Sequence, residues 1–84
     1  MEVEFSVLAH SQLEYWKTND KKIYSRIERL VDNILISPYS GIGKPEPLKH
    51  ELAGYWSRRI TKEHRLVYKI TGISIIVVSC KYHY

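Results

Sequence analysis

Eighty-four residues make one small domain, spanning positions 1–84, with no surplus for a second independently folded unit. At 44% hydrophobic, 12% aromatic and 26% charged residues, the chain can form a core and falls outside the disordered class. The net charge of +4 is uneven: residues 1–43 carry five Lys/Arg and six Asp/Glu, net −1, whereas residues 44–84 carry eight and three, net +5. A basic half on a small protein favours a polyanionic partner, most often nucleic acid, although a solvated basic face has the same composition.

Membrane insertion is not expected. The most apolar run, residues 73–80, contains Ser74 and Ser79 and is far too short to span a bilayer. The start Met1-Glu2-Val3-Glu4 lacks the basic-then-apolar order of a secretory signal, so a cytoplasmic location is expected. The single cysteine, Cys80, allows neither an internal disulfide nor a thiolate zinc cage.

From the N-terminus, Val3-Glu4-Phe5-Ser6-Val7 alternates as a short half-buried strand does. Ser11 and Glu14 have capping-box spacing, which predicts a short helix over residues 11–18, and Asn19-Asp20 interrupts and recaps. Ile23, Ile27, Leu30, Val31, Ile34 and Leu35 then recur as one apolar helical stripe, opposite Lys22, Arg26, Arg29 and Asp32. Pro38, Gly41 and Gly43 end that helix and open a loop through Pro45-Glu46-Pro47, whose prolines fix φ on both sides of the glutamate.

Residues 55–61, 65–71 and 74–80 are rich in β-branched and aromatic side chains, and the short polar connections between them predict antiparallel hairpins. Ile75-Ile76-Val77-Val78 does not alternate, the pattern of a strand covered on both faces. The order β-α-α-β-β-β predicts an α+β domain with two helices packed on one face of a twisted, mainly antiparallel four-stranded sheet.

Three groups of residues could carry chemistry. Glu46 is a stiffly held carboxylate with Lys49 and His50 close in sequence, suited to general-base work, although a glutamate that merely solvates a turn reads the same way. Arg58, Arg59 and Arg65 lie in adjoining strands and can converge across a hairpin, where guanidinium forks suit phosphate oxygens; an exposed basic sheet face is the plain alternative. The end, Lys81-Tyr82-His83-Tyr84, offers a group able to transfer a proton near neutrality and rings on which bases stack. His10 and His64 read as ordinary surface residues and His50 as a neighbour of the site. The four histidines lack metal-site spacing and no acidic cluster suits magnesium, so no cofactor or metal is expected.

A base, an acid, phosphate-directed arginines and stacking tyrosines are the parts of metal-independent RNA cleavage, in which the ribose 2′-OH attacks its own 3′ phosphate. The run Gly43-Lys44-Pro45-Glu46-Pro47-Leu48-Lys49-His50, then Gly54-Tyr55-Trp56-Ser57-Arg58-Arg59-Ile60, then Glu63-His64-Arg65-Leu66-Val67-Tyr68, with the ending Tyr82-His83-Tyr84, closely resembles the YoeB toxins of bacterial toxin–antitoxin modules, within the wider RelE superfamily. The resemblance covers essentially the whole chain. It implies a RelE-like microbial ribonuclease fold and a toxin that cleaves mRNA in the ribosomal A site, on the 30S subunit of the 70S ribosome, held inactive by a YefM-like antitoxin.

Carried over by residue, the resemblance makes Glu46 the general base, His83 the general acid, Arg65 the stabiliser of the charged phosphorane and Tyr84 the ring that orients the substrate. Lys49 and Arg59 match basic positions that contact phosphates. Lys81 stands where an arginine is also familiar, which keeps the charge and loses the fork. A non-catalytic RNA- or operator-DNA-binding module would draw on the same arginines and tyrosines. The sequence leaves open the codon preference and whether the active species is a monomer or a homodimer.

Overall fold

The computed structural model describes residues 1–82 and builds them as β1 (Glu2–Phe5), α1 (Val7–Asn19), α2 (Lys21–Ile36), β2 (Glu46–Pro47), β3 (Trp56–Arg59), β4 (Arg65–Ile70) and β5 (Ser74–Ser79). A single 3-10 turn, His50–Leu52, sits between β2 and β3. The strands form one sheet in the order β1-β5-β4-β3-β2; β1 runs parallel to β5 and every other pair is antiparallel. The α+β architecture is therefore as expected, with two differences: a fifth, two-residue strand at Glu46–Pro47, and a parallel pair that makes the sheet mixed.

The first helix starts four residues before the expected Ser11. Ser6, in extended backbone, accepts the Ala9 N–H on its Oγ at 3.1 Å and donates the same hydroxyl to Val78 O at 3.0 Å, so one side chain caps α1 and ties it to β5. Ser11 instead donates to Leu8 O from within the helix. Asp20 acts as the sequence suggests: its N–H closes α1 on Trp16 O at 2.8 Å, and its Oδ1 accepts from Lys22 N and Ile23 N to open α2.

The apolar stripe of α2 buries Ile27, Leu30 and Ile34 completely and Ile23 and Val31 in part. At the end of the stripe Leu35 stays 38% exposed. Under α1 and α2 lie Leu66, Tyr68, Ile75 and Val77 from β4 and β5, joined by Ala9, Trp16, Ile60 and Cys80. Each aliphatic side chain buried there contributes about 1.5–3 kcal/mol. Ile76 and Val78 are only half-buried, so β5 alternates after all: Ile75 and Val77 face the helices, and Ile76 lies on the opposite face between Glu4 of β1 and Lys69 of β4. Among the described residues, the second face of the sheet carries no α-helix.

Arg58 is fully buried on the helix-covered face, beside Tyr68. Its NH2 donates to Ser37 O at 2.6 Å and Ser40 O at 2.8 Å, its NH1 to Asn33 Oδ1 at 2.6 Å and Ile42 O at 3.1 Å, and its Nε to Tyr68 Oη at 3.1 Å. The Tyr68 hydroxyl in turn donates to Pro38 O at 2.9 Å. All five guanidinium donors are thus matched, mostly by carbonyls just past the C-terminus of α2, where the helix dipole is negative. Arg58 staples the loop over residues 37–43 to the sheet, which corrects its grouping with the phosphate-directed arginines. Gly43 completes the staple: at φ 80° its backbone passes so close that a Cβ would lie 2.7 Å from Leu30 Cδ2, and its carbonyl accepts the Arg59 N–H at 2.7 Å.

Candidate active site

Strand alternation puts Ser57 and Arg59 of β3, and Arg65, Val67 and Lys69 of β4, on the uncovered face. The stapled loop then delivers Glu46 to the edge of that face. Glu46 pairs with Ser57, Ser57 with Val67, and Arg59 lies directly opposite Arg65, so one carboxylate and two guanidinium groups occupy three neighbouring strands. Pro47 has no N–H for a ladder, which suits an edge strand of two residues.

Arg65 NH1 lies 3.3 Å from Glu46 Oε1, the Arg65 side chain only 14% exposed and that of Glu46 53%. This contact links residues nineteen apart in sequence. Two arginines directly opposite each other repel, and the Glu46 carboxylate offsets part of that charge at Arg65. Arg65 Nε and Ser57 Oγ are buried with no hydrogen-bond partner among the described residues. Buried orphan polar groups are uncommon and costly in a structure selected for stability alone, and they concentrate where binding is the purpose.

Lys49, exposed, and His50 follow Glu46 along an open cleft of about 480 Å³ lined by residues 46–52. His50 holds the turn there with φ 59°. Two further groups drop out as chemical candidates. Burial pushes the Cys80 thiol up to about 12, far from a nucleophile's range, and burial also raises Tyr68 although Arg58 opposes it. Among the described residues no group of three His, Cys, Asp or Glu side chains is placed to hold a metal ion, and no helix is long and apolar enough to cross a membrane.

The chain approaches this face again at its end. The Arg65 N–H donates to Tyr82 O at 3.1 Å, and the Tyr82 N–H donates to His64 Nδ1 at 2.7 Å. Tyr82 is 61% exposed. His64, expected as a plain surface residue, is half-buried with its ring edge-on to Trp16, centroids 4.7 Å apart. The proposed acid and orienting ring, His83 and Tyr84, lie outside the described residues.

Glu46, Arg59 and Arg65 are thus brought together as the sequence suggested, Lys49 lies on the adjoining cleft, and Arg58 is removed to the core. One signal for Arg58 was present: alternation puts it on the face of Trp56 and Ile60, the apolar side of β3. Nothing local marks His64, whose partners are 18 residues downstream and on α1.

Two helices on one side of a small sheet and a carboxylate against an arginine on its bare side define a class of small, basic α+β folds with an open rather than enclosed candidate site. Residues 5–84 match the model of the YoeB-like toxins of bacterial type II toxin–antitoxin systems, and the chain belongs to that family. It is 53% identical over 70 residues, 83% of each chain, to toxin YoeB of Escherichia coli K12. Among solved structures, a YoeB/ParE toxin from Agrobacterium tumefaciens superposes with a TM-score of 0.98 over all of both chains at 41% identity. The toxin-antitoxin heterotetramer YoeB-YefM from Staphylococcus aureus contains a chain similar at TM-score 0.93 and 46% identity, covering 100% of this chain and 98% of that one.

Proposed function

We infer that this protein is the toxin of a type II module and acts as a ribosome-dependent endoribonuclease on mRNA in the A site. The observation that carries this reading is the contact of Glu46 with Arg65 across three strands of a face that no helix covers. A module built only to bind a polyanion gains nothing from a carboxylate in contact with an arginine of its basic face, because that carboxylate repels phosphate. A ribonuclease needs it as a base.

In the reaction, the Glu46 carboxylate takes the proton of a ribose 2′-OH, and the 2′ oxygen forms a bond to the adjacent phosphorus as the bond to the 5′ oxygen breaks. Substrate phosphate draws Arg65 away from its present partner, and the guanidinium fork then meets the negative charge that grows on the phosphorane oxygens. His83 gives its proton to the departing 5′ oxygen, and Tyr84 orients the nucleotide. Lys49 and Arg59 hold flanking phosphates. RNA carries its own nucleophile, so the route needs neither a metal-activated water nor a covalent enzyme intermediate.

An open face cannot orient a flexible strand by itself, and the ribosome supplies that orientation. The partner that silences the toxin is a YefM-like antitoxin with an acidic, partly disordered segment that folds over the basic face. The test is to add the protein to translating ribosomes and map mRNA ends. The parent is expected to cut within the A-site codon, and Glu46→Ala or His83→Ala to leave the message intact. Intact mRNA with the parent, or unchanged cleavage by both variants, refutes the reading.

A further inference from the structure

His64 and Arg65, at the entry to β4, grip Tyr82 by both ends of its backbone. The Tyr82 N–H donates to His64 Nδ1 at 2.7 Å and its carbonyl accepts the Arg65 N–H at 3.1 Å. Nδ1 can accept only in the neutral imidazole with its proton on Nε2. The ring is held edge-on to Trp16, with the Tyr82 ring on another side at 5.5 Å between centroids. Trp16 is itself fixed by its Nε1–H, which donates to Cys80 O at 2.9 Å.

The residues before Tyr82 are held in the same manner. Gln12 Oε1 accepts the Cys80 N–H at 2.7 Å, and Lys81 Nζ sits 3.6 Å from the centre of the Tyr15 ring. Residues 80, 81 and 82 therefore each have a side-chain partner on α1 or at the start of β4. Tyr82 also adopts φ 64°, a left-handed conformation that disfavours a residue with a Cβ and persists only where its surroundings enforce it. A segment that only had to follow β5 would not need this many constraints.

We propose that His64 is a positioning residue of the reaction: by accepting the Tyr82 N–H it fixes the backbone of Tyr82 against Arg65, directly before His83 and Tyr84 in sequence. The proposal rests on the ribonuclease reading of those two residues. What the role demands at position 64 is an acceptor. Asparagine, whose Oδ1 can stand where Nδ1 stands, keeps it; phenylalanine keeps a ring against Trp16 and loses it.

The experiment compares the parent with His64→Asn and His64→Phe in two assays. One is hydrogen exchange at the Tyr82 amide by NMR, which involves no RNA. The other is single-turnover cleavage of a defined mRNA on saturating 70S ribosomes, with ribosome affinity measured alongside.

In His64→Phe, Tyr82 exchange is expected to accelerate about tenfold or more, and the cleavage rate to fall about tenfold or more with ribosome affinity held within about twofold. His64→Asn is expected to stay near the parent in both. Parental exchange or parental cleavage by His64→Phe overturns the proposal, as does a His64→Asn protein as impaired as His64→Phe. A parent that cleaves nothing while the exchange difference persists puts the failure in the ribonuclease reading, and the positioning role falls with it.

Discussion

Arg58 and Arg65 belong to neighbouring strands of one antiparallel pair and face opposite sides of the sheet, and their surroundings differ completely. On the covered side, Arg58 is fully buried and every donor has an acceptor, none of them a carboxylate. On the bare side, Arg65 touches the exposed Glu46 carboxylate at 3.3 Å, and its buried Nε has no partner among the described residues. The first arginine is spent on structure, since nothing remains on it for a ligand to bind. The second keeps a donor that no described residue takes, and under the ribonuclease reading a phosphate supplies acceptors to it.

This contrast can be broken by mutation. The largest effect on stability is expected for Arg58→Met, which takes a donor from Asn33 Oδ1, three loop carbonyls and the Tyr68 hydroxyl; a loss of about 3–5 kcal/mol follows from removing one member of a buried charged network. Urea titration checks it, and a variant within about 1 kcal/mol of the parent would mean that the staple holds nothing. Arg65→Met should do the reverse. Its single ion pair is surface-exposed on the Glu46 side, so stability is expected to change by less than about 1 kcal/mol, whereas cleavage on ribosomes is expected to fall about 10²–10³-fold, as when one transition-state donor is removed.

Two smaller changes sharpen the same comparison. Tyr68→Phe removes one link between Arg58 and Pro38 and should cost about 1–2 kcal/mol without touching cleavage measured below the melting range. Lys49→Ala and Arg59→Ala remove exposed cations and should leave stability unchanged, weaken ribosome binding modestly and each flatten its salt dependence by about one phosphate contact. Salt slopes identical to the parent's would place both residues outside the interface.

Much of this division was legible in the residues. The α2 stripe, the Asp20 cap and the hairpins from β3 to β5 follow from local periodicity and turn chemistry. Period-two alternation allowed Arg59 and Arg65 to converge across a hairpin, and the strand register puts them opposite each other. What escaped depended on distant partners. The pairing of β1 with β5 joins Glu2 to Ser74 with no turn between them to announce it, and β2 exists only because the Arg58 staple delivers it. Helix α1 lacks a continuous apolar stripe: Val7, Leu8 and Tyr15 are exposed, so its start had to be read from a cap, and Ser6 without a glutamate three residues on is the weaker signature. Arg58 and His64 look like their neighbours until the fold shows what each one holds.

The central claim is that the bare face, through Glu46 and Arg65, directs a ribose 2′-OH at its own phosphate. The direct measurement is cleavage of a ribosome-bound mRNA in which the nucleotide before the cut carries either a normal ribose or a single 2′-deoxy sugar, with the product ends identified. The account predicts that the normal message yields a 2′,3′-cyclic phosphate and a 5′-hydroxyl end, and that the deoxy message stays whole at that position. Equal cleavage of both messages would contradict it.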